Sequence, residues 1–260
     1  MSDFEDIRVE RDGRGVVEIV IDRPESGNKF RPQTARELER ALRAFRDDPA
    51  DRVAILTGAG DRFFCIGGEH GEIERLEAAS AMPIVDVYAL IDSVPKPIIA
   101  AVNGFAVGGG NVLHLVCDLT IAAEHAVFRQ VGPLVGSFDA GFGTWYLEDA
   151  IGRKRAKELW YLNRKVDAHE ALAMGLVNEV VPGERLLERA REVAGELLDR
   201  GPGALAALKT AFSSRHLGVL GQARMAHDLL LTHYLVTDEA HELSSSFAER
   251  RSPDRDRFGR

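Results

Sequence analysis

Cysteine is nearly absent from this 260-residue chain. Cys65 and Cys117 are the only two, too few for a disulfide framework and without a C-x-x-C pair, so a reducing compartment is expected and no metal site is. No stretch approaches the about 18 apolar residues that a membrane-spanning helix needs. Residues 1–10 alternate acidic with apolar side chains and lack the basic start and apolar centre of a secretory signal. A cytoplasmic protein with no membrane partner is therefore expected. Positive charge is in deficit, 33 Lys and Arg against 41 Asp and Glu for a net −8, so no overall field draws nucleic acid. Nucleotide-binding fingerprints are missing too. No G-x-x-x-x-G-K-[ST] occurs, and the spacing of Gly104 and Gly108 does not give G-x-G-x-x-G.

What is present reads as an ordinary globular chain, 45% hydrophobic and 28% charged, long enough for one large domain with an appendage. Residues 16–21 (VVEIVI) and 53–57 (VAILT) read as strands flanking an amphipathic helix over 32–45. The pattern repeats with a helix over 82–93, a buried strand over 97–102, a helix over 110–117 and a strand over 119–122. Alternation at this spacing means an α/β fold of βα units. Beyond Gly152 helices dominate, at 154–162, 168–174, 184–198 and 204–212, then one long helix from 218 to about 250, with a single further strand near 177–181. We divide the chain into a core over 1–200 and a helical C-terminal region over 201–260, whose tail reads as a solvated end.

Two glycine clusters follow strands: Phe64-Cys65-Ile66-Gly67-Gly68, and the segment from Asn103-Gly104 to Gly108-Gly109-Gly110, which also precedes a helix. Glycine lets a ligand approach the backbone, and a helix start offers free N–H groups to an anion or a developing oxyanion. Each cluster alone reads equally as a tight turn.

Together these segments resemble the crotonase (enoyl-CoA hydratase/isomerase) superfamily along nearly the whole chain. The match runs from Asp22-Arg23-Pro24, Asn28 and Phe30, through Thr57-Gly58-Ala59-Gly60 and the two glycine clusters, to Cys117-Asp118 and residues 171–181 (ALAMGLVNEVV). The resemblance implies a spiral of ββα units with a helical C-terminal trimerisation region, assembled as a homotrimer or a dimer of trimers. It implies an acyl-CoA substrate, no cofactor beyond that CoA, and an enolate held by the N–H groups of Gly68 and Gly109. Arg23, Lys29, Phe30, Arg31 and Gly67 fall in its CoA-binding segments.

Hydratases of this family carry two glutamates at positions that here are Val112 and Gly132. Hydration needs an acid/base group on each side of the water, so ordinary hydratase activity is not expected. Residues 130–143 (QVGPLVGSFDAGFG) instead resemble the branch of 1,4-dihydroxy-2-naphthoyl-CoA synthase and 2-ketocyclohexanecarboxyl-CoA hydrolase. That branch implies Ser137 and Asp139 as handlers of a substrate carbonyl and its proton. It also implies room for bicarbonate at Gly132, and a C-terminal tyrosine donated toward a neighbouring site, for which Tyr234 is the candidate. The branch has its tyrosine one place later, where Leu235 stands. By residue type alone, Ser-x-Asp beside glycines is also an ordinary Asx turn.

The leading expectation is hydrolytic, retro-Dieckmann cleavage of a cyclic β-ketoacyl-CoA such as 2-ketocyclohexanecarboxyl-CoA. Alternatives are synthase-type ring closure, enoyl-CoA hydratase/isomerase chemistry on an unusual substrate, and a catalytically weak acyl-CoA binding protein. Arg129 replaces a glycine of the branch and either meets a substrate carboxylate or faces solvent. His70, after the first glycine cluster, is a candidate base or a surface histidine. His114, Trp160 and Tyr161 read as core, and Arg153, Lys154, Arg155 and Lys157 as a solvated helix face.

Overall fold

The computed structural model describes residues 4–69, 82–139, 141–214 and 231–258. Strands β1 (Ile7–Arg11), β2 (Val16–Ile21), β3 (Val53–Gly58), β5 (Ile98–Val102), β7 (Leu119–Ala123) and β10 (Glu179–Val181) form a six-stranded sheet in the order β1-β2-β3-β5-β7-β10, antiparallel only at the β1–β2 edge. Its central strands are apolar runs because helices cover both faces. Ala54, Leu56, Ile98, Ala100 and Val102 pack on one side beneath α1 (Pro32–Asp47) and α2 (Pro83–Ser93). Their alternates Val53, Ile55, Ile99 and Ala101 pack on the other beneath Leu186, Ala190 and Ala194 of the helix Leu186–Leu198. The period of two along each strand places neighbouring residues in different layers.

A second sheet is made of three-residue strands: β4 (Phe63–Cys65), β6 (Phe105–Val107), β8 (Val127–Arg129) and β9 (Lys165–Asp167), in that order. β4, β6 and β8 each follow a long parallel strand, and β6 leads into α3 (Gly109–Leu115). This repeated long-strand, short-strand unit was not legible in the hydrophobic pattern. It sets both glycine clusters beyond the carboxyl ends of β3 and β5, where open α/β sheets place their ligands.

Further helices are α4 (Phe142–Ile151), α5 (Arg153–Leu162), α6 (Ala168–Met174), α7 (Leu186–Leu198), α8 (Pro202–Ser214), α9 (Thr232–Leu235) and α10 (Asp238–Ala248). α8 docks on the core through the buried Lys209, whose ammonium donates to Asp118 Oδ2 at 2.6 Å and to the Lys96 carbonyl at 3.1 Å. The expected long C-terminal helix begins outside the described residues, and the part within them is broken. Thr237 is the N-cap of α10, accepting from the Ala240 N–H while its hydroxyl donates to the Tyr234 carbonyl at 2.7 Å. The tail is not simply solvated. Arg251 and Arg257 both hold the buried Glu242, which also accepts from the Asp254 N–H at 2.8 Å, and the Arg251 bond leads these in holding its carboxyl down at about 2.

One further expectation changes and another holds. Tyr161 is 69% exposed, whereas Leu159 and Trp160 are buried as read. His114 is buried between Asn111 Oδ1 at 3.1 Å and Thr120 Oγ1 at 3.3 Å, and burial holds it down at about 3, a neutral core histidine.

Candidate active site

The two glycine clusters interlock. Phe30 forms a parallel bridge with Gly68: its N–H donates to the Gly67 carbonyl at 3.0 Å, and its carbonyl accepts from the Glu69 N–H at 3.0 Å. The bridge takes up the groups on either side of Gly68 and leaves the Gly68 N–H aimed away from Phe30. Gly67 adopts φ +92°, and a Cβ there would lie 3.3 Å from the Gly109 nitrogen, so the clusters meet backbone to backbone. Gly109 opens α3, whose first N–H groups have no intrahelical partner. Among the described residues neither the Gly68 nor the Gly109 N–H is bonded, and both line one cavity of about 530 Å³.

Lys29, Phe30, Arg31, Gly67, Arg129, Gly132, Ser137 and Asp139 line the same cavity. Asp139 sits just before α4, and its Oδ1 accepts from the Gly143 N–H at 2.7 Å and the Gly141 N–H at 3.2 Å. The Asx-turn reading and the cavity reading therefore both hold: the helix start fixes a carboxylate at the cavity wall. The preceding loop is pressed into place by α10, because Gly136, at φ +71°, packs directly on the Ala240 carbonyl. Ser137 donates its N–H to the Gly132 carbonyl at 2.8 Å.

Several expected roles change with these positions. A Cβ on Gly132 would meet the Ser137 carbonyl oxygen at 2.6 Å and Phe138 Cα at 2.9 Å. Glycine there admits the neighbouring backbone rather than opening a space, so a bicarbonate does not fit where the side chain would be, and none enters the mechanism below. Arg23 does not line the cavity. It braces the segment over 29–31, donating to the Lys29 carbonyl at 2.6 Å and pairing with Glu69 at 3.0 Å. Arg31 is already neutralised by Glu5 at 2.6 Å and Asp6 at 2.7 Å. Burial alone would raise the Asp6 carboxyl, but hydrogen bonds from Arg31 and Thr34 and the nearby Arg23 hold it below its ordinary value.

Lys29 lines the cavity and forms no ion pair with a described residue. Arg129 also lines the cavity without a carboxylate partner among the described residues, its Nε donating to the Asn163 carbonyl at 2.7 Å. Tyr234, expected to reach a neighbouring chain's site, does not line the cavity of its own chain. Its hydroxyl donates to Glu239 at 2.9 Å and its ring packs on Phe138, whereas Leu235 faces the cavity. A helix turns about 100° per residue, which is why the one-place offset exchanges the tyrosine for a leucine. His70 lies outside the described residues.

Three lining residues escaped sequence reading. Arg62 packs its guanidinium over the Phe63 ring at 4.9 Å. Gln130 is fully buried on the cavity wall, and neither its amide nitrogen nor its oxygen has a hydrogen-bond partner among the described residues. Tyr88, on α2, reaches the glycines from the opposite wall. A lone amide after an arginine and a tyrosine at core spacing carry no local signal of a site. The assembled groups are two unpaired N–H donors, one fixed carboxylate, hydroxyls and flanking cations, suited to forming and quenching an enolate.

The enoyl-CoA hydratase/isomerase family profile matches residues 11–257. Among solved structures, the enoyl-CoA hydratase of Bacillus anthracis is 33% identical, with a TM-score of 0.76 over 96% of this chain and 98% of that one. A monofunctional enoyl CoA isomerase from M. smegmatis is 34% identical, with a TM-score of 0.71 over 84% of this chain and 98% of that one. An enoyl-CoA hydratase/isomerase from Pseudoalteromonas atlantica T6c is 25% identical, with a TM-score of 0.86 over 96% and 99%.

Proposed function

The chain belongs to the enoyl-CoA hydratase/isomerase family, the crotonase superfamily, and from that membership and the cavity we propose an acyl-CoA enzyme that opens a cyclic β-ketoacyl-CoA with water. The observation that carries the reading is the acid/base set. The two hydratase glutamate positions hold Val112, which is buried, and Gly132, whereas a carboxylate and a hydroxyl, Asp139 and Ser137, stand together on the wall shared with Gly68 and Gly109.

In this reading Asp139 takes a proton from water as the oxygen adds to the ring ketone, and Ser137 donates a hydrogen bond to that ketone oxygen. The tetrahedral adduct collapses to a carboxylic acid as the bond to the α-carbon breaks. Its electron pair becomes the thioester enolate, whose oxygen lies between the Gly68 and Gly109 N–H groups. Protonation at the α-carbon completes the turnover. Donors aimed at developing charge act mainly on the transition state. Lys29 and Arg62 would meet the CoA phosphates.

A second reading is enoyl-CoA hydratase or isomerase chemistry, and the comparisons speak for it more directly, since the similar structures carry those descriptions. Isomerisation needs one base to move a proton from the α- to the γ-carbon, which Asp139 could also do. A turnover panel separates them. We expect 2-ketocyclohexanecarboxyl-CoA to give an open-chain product heavier by one water, with crotonyl-CoA hydrated at less than about 10 per second, near the middle of the enzyme range. Rapid crotonyl-CoA hydration or 3-enoyl-CoA isomerisation with an untouched ring ketone would move the assignment to the second reading. An open-chain dioic thioester closed to a ring would mark the synthase direction, and binding without turnover a weak binding protein.

We further propose assembly as a homotrimer or dimer of trimers. The exposed apolar side chains of Leu162, Phe212 and Phe247 support this reading, as surface that such an assembly would cover. Light scattering is expected to show at least three copies in the active fraction; an active monomer would contradict it.

A further inference from the structure

Tyr88 is the one tyrosine among the described residues whose hydroxyl reaches the glycine pair. It is 1% exposed, its ring rests on Phe142 at 5.6 Å, and its hydroxyl donates to the Gly109 carbonyl at 3.0 Å. The same oxygen lies 2.9 Å from the point a Cβ on Gly109 would occupy, and both residues line the cavity. A thioester oxygen bound to the Gly109 N–H brings its α-carbon, two bonds away, into this neighbourhood. Within the same chain the other candidate tyrosine is turned toward Glu239, and the cavity position beside it is Leu235.

We infer that Tyr88 is the catalytic acid that protonates the enolate α-carbon. The inference rests on the enolate chemistry proposed above, but not on which reaction generates the enolate. Atoms balance as follows for ring opening. Asp139 has taken one proton from water, and the remaining hydroxide oxygen ends in the new carboxyl group. The Tyr88 hydroxyl turns from the Gly109 carbonyl and gives its proton to the α-carbon, whose enolate electron pair forms the new C–H bond. The resulting phenolate recovers a proton from Asp139, which returns both groups to their starting states.

Burial, and then the charge of Asp139, push the Tyr88 phenol well above its ordinary range. It is therefore a neutral donor throughout the physiological range, and its phenolate is readily reprotonated. Tyr88 and Asp139 line the same cavity, and the Tyr88 ring rests on Phe142, the residue before the Gly143 whose N–H donates to Asp139.

Exchange of the α-hydrogens of butanoyl-CoA in D₂O tests the assignment without requiring ring cleavage. Wild type is expected to exchange, because protonation run backwards is deprotonation. Tyr88→Phe, which keeps the ring on Phe142, should slow exchange about 100-fold, a general-acid contribution. Bound cinnamoyl-CoA provides the control, because its absorption moves to the red when the two N–H groups polarise its carbonyl. That shift should persist in Tyr88→Phe. A fluorinated tyrosine at position 88, with a more acidic phenol, forms the phenolate base at lower pH and should move the alkaline rise of exchange to lower pH. Absence of exchange in wild type, exchange in Tyr88→Phe within threefold of wild type, or loss of the red shift together with exchange would each overturn the assignment; the last would make Tyr88 a holder of Gly109. An intact ring ketone with exchange and its Tyr88 dependence preserved would remove ring opening and leave Tyr88 in its role.

Discussion

Asp139→Asn is expected to lower turnover about 10²- to 10⁴-fold while changing acyl-CoA affinity little. The structure makes this substitution unusually informative, because the aspartate has a visible second job. Its Oδ1 accepts from Gly141 and Gly143 at the start of α4, and Trp160 in turn donates its Nε1–H to the Gly143 carbonyl at 3.1 Å. Asparagine presents a carbonyl oxygen to the same two N–H groups, so the helix start and the Trp160 contact should survive and the melting temperature should barely move. What asparagine cannot do is take a proton from water. Steady-state rates and melting curves on the two proteins check both halves. A rate within threefold of wild type would reduce Asp139 to the turn-closing role that its residue type alone allows.

Gly109→Pro is expected to cost about 10²- to 10³-fold in kcat, the typical loss for one oxyanion donor. Steric effects must be separated from the donor, since any Cβ at this position would lie 2.6 Å from Phe30 Cζ and 2.9 Å from the Tyr88 oxygen. Gly109→Ala carries that crowding and keeps the N–H, while proline, tolerated at the first position of a helix, carries it and loses the N–H. The rate ratio of the two variants therefore isolates the donor. A proline variant no slower than the alanine variant would show that the Gly109 N–H does not bind the developing charge.

The long elements were legible because their residues obey one period over many positions. β2 coincides with VVEIVI, α6 with residues 168–174, and α1 and α2 with their amphipathic stretches. The second sheet was not, because three-residue strands such as Phe63–Cys65 and Phe105–Val107 are too short to display alternation, and the glycines beside them read as turns. The residues around the cavity were legible as a constellation, through the glycine clusters and the 130–143 segment. Their partners were not. Asp6 and Glu5 stand far from Arg31 in sequence yet pair with it, and only the fold shows that Arg23 and Arg31 have carboxylate partners while Lys29 has none among the described residues. Gly132 illustrates the same limit, since a glycine that admits neighbouring backbone and one that opens space for a ligand are identical in sequence. At the break before α10 one Thr237 hydroxyl bonds in two directions, a pairing that no sequence period announces.

The central claim is that the Gly68 and Gly109 N–H groups together polarise a thioester oxygen in this cavity. Its most direct test is the absorption of cinnamoyl-CoA bound to wild type and to the two Gly109 variants. A red shift on binding to wild type, retained in Gly109→Ala and largely lost in Gly109→Pro, is the predicted result. Saturable binding to wild type with an unshifted spectrum would contradict it.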